Sequence, residues 1–173
     1  MKRLLASALS AALLMGALAG CGGDSGSASG SGAASGSGAA SGDNVIKIGV
    51  FEPFTGDSAS GGNKEYLGMQ YANSVTPTVE VGGVEYTVEL VPSDNGSTTD
   101  KAMTAASQLV SEGVSMVLGS YGSGVSIAAG PTFGNAGIPA IGVTCTNPNV
   151  TAGNDYYFRI CFLDPFQGTV LAN

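Results

Sequence analysis

Two short, almost wholly apolar runs, Val114–Leu118 and Ile138–Val143, constrain this chain more than any other feature. A strand wetted on one face alternates apolar with polar residues. A run that does not alternate is covered on both faces, as in a parallel sheet sandwiched by helices. Each run stops at a segment rich in Gly, Ser and Thr: GSYGSGVS (119–126) after the first, TCTNPNVT (144–151) after the second. Side by side in a parallel sheet, the two strands deliver these loops to one carboxyl edge, where open α/β sheets place ligands. Hydroxyls and free backbone N–H groups near a helix start suit a small anion such as a carboxylate.

Strand and helix patterns alternate through the rest of residues 44–173. Val45–Phe51 is a short, mostly apolar strand. Leu67, Tyr71 and Val75 recur every four residues, as on one face of a helix. Val84, Tyr86, Val88 and Leu90 alternate with Glu85, Thr87 and Glu89, and Gly82-Gly83 permits a tight turn from Thr78–Val81. Ser97-Thr98-Thr99-Asp100 fits a capping box, with Ser97 as the cap. The helix it opens carries Ala102, Met103, Ala106, Leu109 and Val110 on one face and stops at Gly113. A helical segment over Ser123–Ala136 is interrupted at Gly130-Pro131, and Tyr156–Ile160 is the last strand. Asp164-Pro165-Phe166-Gln167 reads as an N-cap, a first-turn Pro and a Gln closing the cap. No stop signal follows before Asn173, so the sequence is expected to be the first part of a longer protein. The expected fold class is α/β, a parallel sheet with helices on both faces.

Ahead of this region, Met1-Lys2-Arg3, an apolar run from Leu4 to Leu18 and then Leu18-Ala19-Gly20-Cys21 describe an export signal. The run is shorter than the ~20 residues of a spanning helix. The tetrad resembles a bacterial lipobox, which makes Cys21 the expected lipidated first residue; the alternative is an ordinary secretory signal with an incidental cysteine. From Gly22 to Gly42 the chain is almost only Gly, Ser and Ala, which predicts a flexible tether of roughly 25 Å root-mean-square span. Loss of residues 1–20 leaves four basic residues against 13 acidic ones, a net charge of −9. Such a chain is unsuited to nucleic acid, and its membrane attachment must come from lipid rather than from a basic patch.

Chemistry-bearing motifs are few. Gly56-Asp57-Ser58 resembles the nucleophile block of one lipase/esterase family, but the chain has no histidine to act as base. It has no G-x-S-x-G, no P-loop and no G-x-G-x-x-G. Asp94-Asn95-Gly96 reads as a turn, and Asp164 and Gln167 as structural groups. Cys145 and Cys161 follow successive strands and read as two thiols or, outside the cytoplasm, as a disulfide. No metal set is apparent. Ser123 and Thr146, both after strands, suit helix capping and ligand binding equally well.

The order IKIGVFEPFTGD, SDNGS, VLGSYGS, GIPAIGVTCTNP and YYFRICFLDPFQG resembles the leucine/isoleucine/valine-type periplasmic binding proteins. These are type I solute-binding components of branched-chain amino acid ABC transporters. The resemblance implies two α/β lobes with a ligand held between them, no cofactor and no catalysis. It implies that Ser123 receives the ligand's α-carboxylate through its hydroxyl and amide. Thr144 would offer a backbone carbonyl to the α-ammonium, and Thr146 a hydroxyl and an amide. Gly61 stands where the family often places an aromatic against the ligand. The implied organisation is a lipoprotein signal over 1–20, lipidated Cys21 and tether over 21–43, a first lobe over 44–162, and the start of a second over 163–173. The expected function is extracytoplasmic capture of a small amino acid and its delivery to an ABC permease. The alternative is a domain that presents such a ligand to a membrane receptor or kinase.

Overall fold

Residues 44–173, the part that the computed structural model describes, form six strands and four helices around one sheet. The expectations for the export signal, Cys21 and the tether lie outside these residues. In chain order the elements are β1 (Val45–Glu52), α1 (Ala59–Val75), β2 (Thr78–Val81), β3 (Val84–Asp94), α2 (Thr99–Ser111) and β4 (Met116–Leu118). There follow α3 (Ser123–Ala136), β5 (Ala140–Gly142), a 3₁₀ turn at Pro148–Val150, β6 (Tyr157–Arg159) and α4 (Asp164–Ala172). The sheet order is β2-β3-β1-β4-β5-β6. All neighbours are parallel except β2 and β3, a hairpin turned by Gly82-Gly83, both at positive φ. Glycine meets no Cβ penalty in that conformation, which is why the pair can turn so tightly.

Side chains alternate across the sheet, and the alternation assigns the helices to their layers. Phe51 points toward α2 and α3: its ring meets Phe133 edge-on at 5.5 Å, and both are fully buried with Leu109, Val117, Ala129 and Ala140. Burying each large apolar side chain of this set stabilises the fold by about 1.5–3 kcal/mol. Ile48, Val50 and Glu52 occupy the other parity, toward α1. Val50 is in register with Leu118, Leu118 with Ile141, and Ile141 with Phe158, so one apolar row crosses four strands on that face. Between α1 and this row runs a groove of about 690 Å³, whose walls include Met69, Leu90, Leu118, Ile141 and Ile160.

Five local readings change. The α1 stripe Leu67, Tyr71, Val75 is exposed; the helix instead turns Gly62, Glu65, Tyr66, Met69 and Asn73 inward. Packing decides this. A Cβ on Gly62 would lie 2.5 Å from the Pro53 carbonyl, Tyr66 meets the Phe54 ring at 5.1 Å, and the Asn73 amide donates to the Val88 carbonyl. The α2 cap is Thr98, whose hydroxyl accepts from Lys101 N–H, because Ser97 sits at φ 60° with its hydroxyl spent on the first loop. On α2, Ala105 is buried and Met103 is not. Helix α3 runs unbroken through Pro131, with Asn154 donating to the Gly130 carbonyl beside it. Finally, Leu163 is the N-cap of α4, so Asp164 lies within the first turn and makes no capping bond.

Candidate functional site

The loops at the carboxyl edge are braced to one another by polar side chains. Asp94, the last residue of β3, receives Phe54 N–H at 2.8 Å, Thr55 N–H at 3.1 Å and Gly96 N–H at 2.9 Å on one oxygen. The Thr55 hydroxyl donates to its other oxygen at 2.6 Å. Burial pushes this carboxyl up, but the four donors together outweigh it and hold its pKa below the usual aspartate value. Ser97 accepts from Ser58 N–H and donates to the Thr55 carbonyl. Asn95, fully buried, donates to the Ser120 hydroxyl at 2.8 Å, and Tyr157 donates to the Gly119 carbonyl at 3.2 Å. Burial pushes the Tyr157 phenol up, so it stays a donor. The turn at 94–96 thus fixes the loops after β1 and β3, while Asn95 and Tyr157 fix the loop after β4.

Against this rigid edge, Ser123, Thr144 and Thr146 come together with Tyr121, Gly122, Cys161 and Phe162 around one depression of about 380 Å³. The adjacency expected of the two loops holds because β4 and β5 are direct parallel neighbours. Ser123 is the first residue of α3, whose N-cap is Gly122 without a side-chain bond. Its hydroxyl is therefore not a cap; it accepts from Asn147 N–H at 3.2 Å and pins the second loop to the first. Thr146 caps nothing either, because Asn147 caps the 3₁₀ turn. The first-turn N–H groups of α3 have no partners within the helix. The depression therefore offers hydroxyls and amides of the kind a carboxylate accepts from, with aromatic rings at its rim.

Several participants were not picked out from the sequence. Tyr121 lies with its ring over Gly61, where a Cβ would come within 2.6 Å of ring atoms. An aromatic group thus stands over the first loop although residue 61 is glycine. Glu52 is fully buried at the end of β1, where its carboxyl accepts Tyr121 N–H at 2.7 Å. Burial, then the neighbouring Glu65, push it up to about 9 against the weaker pull of that N–H. Glu65 in turn accepts the Thr144 hydroxyl. The one signal available was an acid closing an apolar strand. Cys145 is buried and Cys161 half-buried, both as free thiols, and burial pushes the Cys145 thiol up.

Comparison with known proteins shows the family. A family model described as periplasmic binding protein matches residues 45–173. A curated relative, Leu/Ile/Val-binding protein homolog 3 of Brucella melitensis, is 31% identical over 130 residues, which are 74% of this chain and 35% of the relative. Among solved structures, a leucine binding protein LivK from Thermotoga maritima superposes with a TM-score of 0.68 at 36% identity, covering 73% of this chain and 35% of that one. A branched-chain amino acid transporter substrate binding protein LivJ from Streptococcus pneumoniae, in complex with isoleucine, superposes at 0.67 with 33% identity, covering 75% and 37%. The chain spans about a third of the length of the curated relatives it matches.

Proposed function

This chain belongs to the periplasmic binding protein family, and from that premise we propose that it supplies one lobe of an extracytoplasmic solute-binding protein for a small amino acid of branched-chain type. Residues 44–162 are the first lobe. Residues 163–173 begin a second: α4 buries no residue against the sheet and is tied to the loop after β5 by Asp164 N–H donating to the Thr146 carbonyl. The lobe breaks no bond; it captures the ligand and passes it to an ABC permease. Residues 1–20 direct export, Cys21 carries the lipid anchor, and residues 22–43 let the lobe range above the membrane.

The observation that carries the reading is the convergence of Ser123, Thr144 and Thr146 on one depression. Ser123 and Thr146 receive the α-carboxylate through hydroxyl and amide, and the Thr144 carbonyl takes one proton of the ammonium. Tyr121 and Phe162 offer aromatic surface to an apolar side chain. The isoleucine complex of the Streptococcus pneumoniae neighbour and the leucine-binding neighbour from Thermotoga maritima support this ligand class.

A lobe that covers one side of a ligand leaves its contacts open to water, where each hydrogen bond contributes about 0.5–1.5 kcal/mol. At the upper end of that range, three of them total about 4 kcal/mol, a dissociation constant of roughly 1 mM. Leucine, isoleucine and valine titrated onto the full chain should therefore shift the amide resonances of Ser123 and Thr146 in the millimolar range. Ser123→Ala and Thr146→Ala should each weaken that response about tenfold or more, the loss of one bond to a charged group. Undiminished binding in Ser123→Ala, or no response at either amide in the parent, would overturn the assignment.

A further inference from the structure

Glu52 Oε1 and Glu65 Oε2 are buried, and neither receives an N–H or an O–H. The other oxygen of each carboxyl is occupied: Tyr121 N–H donates to Glu52, and the Thr144 hydroxyl donates to Glu65. Glu65 lies beside Glu52, near enough that its carboxyl pushes the Glu52 carboxyl up. Two neighbouring carboxyls, each with a buried oxygen that no N–H or O–H reaches, are satisfied by one proton between them, whereas a pair of carboxylates there repels. We propose that Glu52 and Glu65 share a single proton, and that this protonated pair positions the ligand cleft by fastening the loop after β4, through Tyr121, to the loop after β5, through Thr144. The positioning role rests on the cleft assigned above; the shared proton does not.

The pair ties together four parts of the chain. Glu52 comes from the end of β1, Glu65 from the second turn of α1, and the two residues they hold come from different loops of the carboxyl edge. The groups that face it are few. Lys64, which precedes Glu65 on α1, and Asp57 from the loop after β1 line a surface depression with Glu65 and Tyr121. Tyr157 on β6 is the nearby phenol, and its hydroxyl donates to the Gly119 carbonyl. Asp94 on β3 is the register partner of Glu52, with its carboxylate committed to the loop donors. Burial of Glu52 and the proximity of Glu65 keep the proton in place up to about pH 9. Above that the proton leaves, the carboxylates repel, and the hold on the two loops is lost.

The sign for stability follows from the same shift. A folded-state pKa raised above the unfolded value favours folding most strongly below the unfolded value of about 4.3. That contribution declines as pH rises toward 9. Gln at position 52 is neutral at every pH, and its amide can donate to Glu65 Oε2.

The test uses the full chain. Infrared spectra at pH 7 should show a protonated-carboxyl stretching band in the parent and none in either Glu52→Gln or Glu65→Gln. The second variant matters because its amide satisfies Glu52 and lets it ionise. A band that survives in Glu65→Gln would mean that burial alone protonates Glu52, and no band in the parent would mean that no proton is held; either result overturns the sharing. The positioning role is read from leucine titrations at pH 8 and pH 10. A proton required for binding costs about tenfold in affinity per pH unit above its pKa. The parent should therefore lose about tenfold more affinity than Glu52→Gln, which corrects for titration of the ligand's own ammonium. Equal losses in the two proteins overturn the positioning role. Absence of leucine binding in both, with the band present, refutes the cleft and with it the positioning role, and leaves the shared proton standing.

Discussion

Asp94 carries more of the architecture than any other single charge on the carboxyl edge. It is half-buried, yet it accepts four donors from two loops. Asn at this position keeps one carbonyl oxygen but turns the other acceptor into a donor, which faces the Thr55 hydroxyl. Asp94→Asn should cost about 1–2 kcal/mol, a hydrogen bond to a charged group discounted for partial exposure. Because the folded pKa is depressed, the aspartate's contribution is complete above the ordinary value of about 3.9 and is lost as pH falls through the depressed value. Denaturant midpoints measured from pH 6 down to pH 2 should fall more steeply in the parent than in Asp94→Asn, and the two should converge in acid. The turn at 94–96 was legible because Asp, Asn and Gly each favour it locally. Glu52 was not legible, since its explanation is Glu65, thirteen residues on and on another element, and no local preference connects the two.

Helix α3 holds a proline where an unbroken helix disfavours one. Pro131 has no N–H to give to the carbonyl four residues earlier, and the sequence alone argues for an interruption there. The helix continues because its buried face, Val125, Ala129 and Phe133, is anchored on both sides of the proline, and Asn154 supports the backbone at Gly130. Pro131→Ala restores the missing bond and relieves a penalty of up to about 3 kcal/mol. It gives back roughly 0.4–1 kcal/mol by loosening the unfolded chain. Thermal melting should therefore show net stabilisation of about 1–2 kcal/mol; a lower melting temperature would mean that the helix is strained elsewhere. The same contrast between local signal and packing explains α1. Its apolar period marked a helix correctly and its buried face wrongly, because Gly62, Tyr66 and Asn73 fit the sheet by shape and hydrogen bonding rather than by hydropathy. The strands β4, β5 and β6 are two or three residues shorter than the runs Val114–Leu118, Ile138–Val143 and Tyr156–Ile160 that contain them, because the flanking residues have no ladder partner.

The alternation of apolar runs and helical periods made a mostly parallel sheet legible, and the side-by-side placing of the loops after β4 and β5 with it; the strand order itself comes from the structure. Anchoring is a property of the complete polypeptide, and Leu18-Ala19-Gly20-Cys21 is its proposed basis. Expressed in a bacterium, the parent should partition into detergent and Cys21→Ala into the aqueous phase; equal aqueous partition of both would refute the anchor. The order of the strands also sets a timetable. β1 pairs with β3 and β4, about 40 and 70 residues further along the chain. The first strand to be synthesised therefore waits until Leu118 has emerged before both of its neighbours exist, and contacts so distant in sequence form slowly. For a chain exported as proposed, that interval keeps the newborn polypeptide threadable, so a channel that accepts only extended chain meets it before the β1 ladder closes.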